Sequence, residues 1–364
     1  MKAVILVGGK GTRLLPLTSN IPKAMVPVLN IPFLQHVVRY LHRHHLREIV
    51  LAQGHLSQSM ESYLGNGNQM EVKLHYSVED TPLGTAGAVK NSERYLDNTL
   101  VVLNGDVFTD QDISAMVKFH YEKKAIATIA LTPVDDPTSY GLIETRPDGR
   151  VTRFLEKPKL SEVTTNMVNA GAYVLEPEVI AQIPAHANVS FEHDVFPQIL
   201  TQGKPVYGYS SPAYWMDMGT PERYLQLHYD LLGGKCRGYD LPRNQEIAVE
   251  NSSNIHPTVE IKGQVVIGAN CVIGPRVKLN GPAVIGSGCI IEEEVVIERS
   301  IIWDGVHVEQ RARVQKSIVA SSCRLEKDSF VEESILGDNV TILSKSKLVA
   351  GTKIWPWSTV KARE

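Results

Sequence analysis

The sequence predicts an α/β domain with a mostly parallel sheet and helices on both faces, followed by a parallel β-helix of hexapeptide repeats. Three observations support this. From residue 1 to about 232, apolar runs rich in β-branched residues alternate with helically spaced segments. From Ile255 an aliphatic residue recurs every six positions. Between them, residues 233–253 open on Gly233-Gly234, are largely polar and contain Pro242, as a linker would. The domains are therefore expected at 1–232 and 254–364, joined by the linker 233–253. A chain of 364 residues has material for two substantial cores, and 43% apolar with 21% charged residues is ordinary for a globular protein. A net charge of -3 gives no reason to expect nucleic acid or an anionic membrane as a partner. No run of 18 apolar residues is present and the chain opens on a strand, so a cytoplasmic location is expected. The cysteines Cys236, Cys271, Cys289 and Cys323 form no C-x-x-C pair, which argues against zinc.

The first strand, residues 3–7, stops at Gly8-Gly9-Lys10-Gly11-Thr12-Arg13. Closely spaced glycines let the backbone turn sharply and approach a ligand. Free N–H groups in such a turn make an anion-binding concavity. Lys10, Arg13 and, after Pro22, Lys23 add cations, so the stretch suits a polyphosphate. It is not a Walker A loop, because Lys10 precedes Gly11, nor a dinucleotide fingerprint, because the third glycine position holds Leu14. Further strands are expected at 49–52, 72–75, 100–103, 126–129 and 172–175, with helices at 33–44, 58–64, 85–95 and 113–123. Ligands of such sheets bind at the carboxyl ends of the strands. Asp106 lies just past one strand, Glu156-Lys157-Pro158 past another, and Asp217 in a loop before a helix that Thr220 or Pro221 would start. A lone aspartate in such a place most often caps a helix or turn. Two acids with several cations at the strand ends of one domain point instead to Mg2+ held against phosphate oxygens.

In the repeat, Ile255, Ile261, Ile267, Ile273, Leu279, Ile285, Ile291, Ile297 and Trp303 are in phase, and each but the first stands two residues after a small or apolar partner in the series Val259 to Ile301. Three hexapeptides make a coil, so Cys271 and Cys289, 18 residues apart, should stack inward as small core residues. After Trp303 the register loosens, and residues such as Val308, Val314, Val319, Val340 and Leu348 extend it by about two coils. His256 starts the repeat and His307 continues its inward series, so neither is placed for a second, acyl-transfer site. Trp355 and Trp357 are expected to cover the open end of the stack or to meet a second subunit.

The motifs together resemble the sugar-1-phosphate nucleotidyltransferases that end in a left-handed β-helix, above all the GDP-mannose pyrophosphorylases. The run Gly8 to Thr18 with Pro22-Lys23, Asn104-Gly105-Asp106, Phe154 to Pro158, Asn169-Ala170-Gly171, Trp215 to Pro221 and Pro82 to Gly87 all stand in the family's order. The resemblance implies transfer of a nucleotidyl group from an NTP to a sugar 1-phosphate, with release of pyrophosphate. GTP and mannose 1-phosphate are the first expectation, and glucose-1-phosphate uridylyl or thymidylyl transfer is the alternative. By the same resemblance Arg13, Lys23 and Lys157 act on the phosphates. Leu6, Gly8, Gly9, Gly11, Thr12, Glu79, Pro82, Gly84 and Thr85 hold the nucleotide. Gly141, Glu156 and Asn169 meet the sugar, Asp106 and Asp217 hold Mg2+, and the β-helix drives homo-oligomer assembly. Guanine presents N1–H and N2–H2 side by side, which one carboxylate such as Glu79 could accept; uracil and thymine offer one N–H. Layouts of this kind also occur in non-catalytic regulatory or scaffold paralogues. Loss of chemistry would show first at the cations and acids, and Arg13, Lys23, Asp106, Lys157 and Asp217 are all present, so an enzyme is expected.

Overall fold

The computed structural model describes residues 1–54, 57–237, 247–249 and 252–361. The chain divides into two compact units, Met1–Lys10 with Leu34–Asp217, and Gly11–Phe33 with Met218–Glu364. β1 (Lys2–Leu6) opens the first unit, and β2 (Pro27–Val28) and β3 (Ile31–Pro32) form a short hairpin in the second. Then come α1 (Phe33–Arg43), β4 (Glu48–Gln53), α2 (Ser57–Leu64), β5 (Lys73–Val78), α3 (Gly84–Asn91) and β6 (Leu100–Asn104). β1 lies between β4 and β6, and β4 pairs with β5, all in parallel. Sequentially Val4, Val50, Ala52 and Val102 pack into one core with α3, while the alternate residues Ala3, Ile5, Ile49, Leu51, Val101 and Leu103 are also buried. Both faces of the sheet are covered, which is why its strands read as continuous apolar runs.

Beyond β6 the topology changes. β7 (Val107–Thr109), α4 (Ile113–Glu122), β8 (Ala127–Pro133), β9 (Gly141–Thr145), β10 (Val151–Glu156) and β11 (Met167–Leu175) follow. α5 (Pro177–Ala181), α6 (Phe196–Thr201), β12 (Val206–Ser210), β13 (Trp215–Asp217) and α7 (Pro221–Leu232) complete the region. β11 runs antiparallel to β6, β8 and β9, β9 and β10 form a hairpin, and β12 lies parallel to β8. The nine-stranded sheet is thus mixed where a mostly parallel one was expected. For the β9–β10 pair the cause is local: Asp148-Gly149, with Gly149 at φ 87°, makes a tight turn, and a tight turn can join only antiparallel neighbours.

In the second unit, three parallel sheets of seven, seven and six strands stack into a β-helix. Val265–Ile267 pairs with Ala283–Ile285, and Val272–Ile273 with Ile290–Ile291, each 18 residues on. Cys271 and Cys289 are buried free thiols in its core, as their spacing predicts. The next step is one residue shorter: Ile285 pairs with Ile302 and Ile290 with His307. Ile302, not Trp303, therefore takes the inward slot, and the Trp303 indole instead donates from Nε1 to Tyr224 Oη of α7 at 3.0 Å. The same deletion turns His307 outward between buried Val306 and Val308, with Nε2 2.8 Å from Glu292 Oε1, correcting its expected inward position. Strand pairing persists to Thr359–Val360, further than the two coils expected after Trp303. Trp355 and Trp357 remain 56% and 73% exposed, so they do not seal the last coil. Within the stretch expected as linker, Ile247–Val249 already pairs with Val265–Ile267, and Pro242 lies outside the described residues.

The β2–β3 hairpin is fastened inside this unit. Tyr224 Oη donates to Pro27 O, Leu29 N–H to His228 Nε2 at 3.2 Å, and Asn30 Nδ2 to Ile285 O at 2.8 Å. Leu29 and Asn30 take φ 50° and 64°, the left-handed pair that a two-residue hairpin turn requires. Among the described residues no helix is long and apolar enough to cross a membrane.

Candidate active site

In the first unit the carboxyl ends of β1, β4, β5 and β6 gather the nucleotide candidates. Leu6 O, where β1 ends, accepts the Gly105 N–H at 2.9 Å. A Cβ at Gly105 would lie 2.6 Å from Leu6 O and Val7 Cγ1, so only glycine brings this loop in and delivers Asp106 beside the start of the glycine-rich loop. Gly8 faces Glu79 from beyond β5: a Cβ there would lie 2.8 Å from Glu79 Oε1, which also approaches Gly54. Glu79 Oε2 accepts the Leu83 N–H at 3.2 Å. Burial raises the Glu79 carboxyl above its ordinary range, and the Leu83 N–H partly offsets this. A Cβ at Gly9 would meet nothing within 4 Å, so that backbone is open to a ligand. Pro82, Gly84 and Thr85 are held by the segment 188–192. Pro82 O accepts from Asn188 Nδ2, a Cβ at Gly84 would lie 2.5 Å from Val189 O, and Thr85 Oγ1 donates to Glu192 Oε2 at 2.8 Å.

The two acids lie in or next to a pair of bonded strands. β13 pairs with β7 so that Asp217 stands opposite Val107, the neighbour of Asp106. Neither acts as the helix cap that a lone aspartate suggests: Asp112 caps α4, and Thr220 caps α7 by accepting the Arg223 N–H at 3.3 Å. Asp217 is 9% exposed and Asp106 is half-buried. Hard oxygen donors on adjoining ribbon positions suit Mg2+, which takes one or two carboxylates and leaves the remaining positions to water and phosphate. No group of three or more His, Cys, Asp or Glu placed to hold a metal ion occurs among the described residues.

Gly141 and Glu156 are register partners on the β9–β10 hairpin, and a Cβ at Gly141 would strike Glu156 Oε2 at 2.8 Å. Lys157 follows at φ 47°, a left-handed conformation costing a lysine of order 1 kcal/mol, with its N–H donated to Tyr140 O at 3.0 Å. Asn169 Nδ2 donates to Tyr173 Oη at 2.8 Å and its Oδ1 accepts the Gly171 N–H at 2.9 Å. Tyr173 Oη donates in turn to Glu192 Oε1 at 3.0 Å. Burial raises the Glu156 carboxyl, and the Glu192 charge raises it further. The Trp215 Nε1 donates to Ala170 O and the ring meets Tyr140 edge-on at 5.4 Å, closing one side of this polar cluster.

The second unit holds Gly11, Thr12, Arg13 and Lys23. Gly11 stands at φ 63° before the turn Thr12–Leu14, and its carbonyl accepts from Thr18 Oγ1 at 2.8 Å. A Cβ at Gly11 would approach Lys23 Cβ to 3.0 Å, so the glycine turn and the Pro22-Lys23 turn are packed on each other.

A model described as "Nucleotidyl transferase" matches residues 2–233. The chain belongs to the nucleotidyl transferase family. A second model, the LbH (left-handed β-helix) domain of the EIF2B epsilon subunit, matches residues 244–348. The transferase is 36% identical over 357 residues, 97% of its length and 94% of the relative's, to a mannose-1-phosphate guanylyltransferase of Mycobacterium tuberculosis. It is 34% identical to a UTP–glucose-1-phosphate uridylyltransferase of Synechocystis, over 74% of each chain. The solved structure of HddC from Yersinia pseudotuberculosis complexed with GMP-PN superposes with a TM-score of 0.54 at 30% identity, covering 62% of the transferase and 96% of that chain. An enzyme with a C-terminal left-handed β-helix is therefore shown.

Three further residues near these candidates carry no motif signal. Glu192 joins Thr85, 107 positions away, to the Asn169–Tyr173 cluster. Gln53, at the end of β4, and Asn104, at the end of β6, hold buried side-chain polar atoms without a hydrogen-bond partner among the described residues. Such groups are costly unless a ligand or water completes them. Strand-end position was the one available signal for both.

Proposed function

We propose that the enzyme transfers a guanylyl group from GTP to mannose 1-phosphate, giving GDP-mannose and pyrophosphate. The observation that supports the reaction class is the β7–β13 ribbon, in which Asp217 stands opposite Val107, the residue after Asp106. Similarity along 97% of the chain to a mannose-1-phosphate guanylyltransferase supports the substrate pair. Glu79 supports the base: a half-buried carboxylate beside Gly8 can accept both guanine donors, whereas uracil or thymine offers one. The uridylyltransferase relative keeps UTP and glucose 1-phosphate as the second reading.

The sugar-phosphate oxygen is already ionised at neutral pH, so it attacks the α-phosphorus without a general base, and pyrophosphate departs in line. What remains for the protein is to hold two anions together and balance their charge. Arg13 and the N–H groups of the glycine-rich loop bind the leaving pyrophosphate, and Lys23 contacts the reacting phosphates. Lys157, fixed by its left-handed backbone, binds the phosphate of the sugar. Gly141 leaves room for the sugar against Glu156, whose carboxylate and the Asn169 amide take its hydroxyls. Asp106 and Asp217 would hold Mg2+, which supplies charge neutralisation at the α-phosphate.

Purified protein with Mg2+ should release pyrophosphate fastest with GTP and mannose 1-phosphate when NTPs are screened against mannose, glucose and N-acetylglucosamine 1-phosphates. No release with any pair would overturn the reading. Asp106→Ala should lower kcat at least about 100-fold with the circular dichroism spectrum unchanged, the range for losing one electrostatic stabiliser. Full activity in that variant would remove Asp106 from the metal site.

A further inference from the structure

We propose that one face of the β-helix is a binding site for a small anion carrying two or more phosphate groups, independent of the reaction above. Where the sheet bearing Lys278–Asn280, Val296–Glu298, Arg313–Gln315, Phe330–Glu332 and Lys347–Leu348 faces outward, it bounds a groove of about 780 Å³. That volume suits a small-molecule ligand. Strand pairing stacks Lys278, Val296, Arg313, Phe330 and Lys347 in one outward column. Rungs lie about 4.8 Å apart, so the three cations recur roughly every 10 Å.

The charges in the groove are not balanced. Its lining holds five cations and two carboxylates, on a chain whose net charge is -3. Both carboxylates are engaged in the neighbouring turn column: Arg276 Nε donates to Glu294 Oε1 at 3.0 Å, and Arg311 Nε to Asp328 Oδ1 at 2.8 Å. Lys278 has one distant acid, Glu260, at 3.9 Å. Among the described residues, no carboxylate forms an ion pair with Arg313 or Lys347, and the Lys347 ammonium rests over the Phe330 ring at 5.2 Å. Between Lys278 and Lys347 the intervening column positions hold Val296 and Phe330 rather than acids, so within the column the three cations are offset by Glu260 alone, next to Lys278. One phosphate can meet one of these cations; phosphates linked in one small molecule can meet two or three, each through charge-assisted hydrogen bonds.

The test titrates tripolyphosphate into the full-length protein without Mg2+ by calorimetry. Arg13→Ser serves to weaken binding at the reaction site. In that background one class of site should remain, and adding Arg313→Ser with Lys347→Ser should weaken it at least 10-fold. Arg313→Lys, which keeps the charge, should retain most of the binding. In the wild-type background the Arg313→Ser/Lys347→Ser pair should leave pyrophosphate release unchanged. An isotherm indifferent to the pair would overturn the proposal. So would a change of oligomeric state on light scattering, without anion, in the paired variant: the groove would then be an interface between copies of the chain.

Discussion

Glu79, proposed above to read the base, carries a stability penalty. Burial raises its carboxyl above 4.5, so the folded state prefers the protonated form. Its contribution to stability is therefore complete below pH 4.5 and is lost as pH rises through the folded value. Glu79→Gln should raise the urea midpoint at pH 7 relative to wild type, with the difference shrinking as pH falls below 4.5. The same change should cut the ratio of kcat/KM for GTP over UTP by about 10- to 100-fold, since an amide cannot accept both guanine donors. A more stable protein with an unchanged ratio would separate Glu79 from base recognition. Gly105 makes the opposite case, a residue with no side chain whose replacement reaches the chemistry. Gly105→Ala would place a methyl 2.6 Å from Leu6 O, at a cost of about 1–3 kcal/mol in urea unfolding, and should lower kcat by displacing Asp106. Wild-type stability and turnover in this variant would show that the loop can yield.

Elements extend the reach of these residues. α4 is anchored by His120, fully buried, with Nδ1 2.8 Å from Thr128 Oγ1 of β8 and Nε2 3.0 Å from Glu176 Oε1 after β11. Desolvation lowers its pKa below 6.5, only partly offset by Glu176. Stability tied to neutral His120 is thus present above pH 6.5 and is lost as pH falls through the folded value. Urea midpoints should fall between pH 7.5 and 5.5 in wild type, and His120→Asn, though less stable throughout, should show a flatter dependence. An equal slope in both would assign the acid sensitivity elsewhere. What could be read in the sequence divides along similar lines. The glycine loop, the hexapeptide period and the strands β1, β4 and β6 depend on local pattern and were legible. The one-residue deletion at Ile302 was not, because Ile301, Ile302 and Trp303 are all apolar and only strand pairing decides which one faces inward. The β9–β10 hairpin turns at Asp148-Gly149, a dipeptide that favours tight turns and that the reading of alternating strands and helices passed over. Glu192 acts through partners far away in the chain, and the Gln53 side chain has none among the described residues, so no short motif encodes either.

For the whole molecule, the first glycine-rich motif is shared between the compact units: Gly8 and Gly9 belong to one, Gly11, Arg13 and Lys23 to the other. The β2–β3 hairpin that follows is tied to α7 and to Ile285 of the β-helix. A variant ending at Gly233 would lose the Ile285 carbonyl that holds Asn30 and the Trp303 indole that holds Tyr224. It should melt at a lower temperature and turn over more slowly than the full chain, and equal values in both assays would contradict a supporting role for the β-helix. Exchange of parts with a relative follows the same logic. A chimaera that takes a foreign C-terminal half at residue 233 keeps a native hairpin facing foreign contacts. The crossovers that preserve packing fall at Lys10/Gly11, Phe33/Leu34 and Asp217/Met218. A donor β-helix therefore has to bring its own copy of residues 11–33, so a transplant meant to change assembly would also replace Arg13 and Lys23.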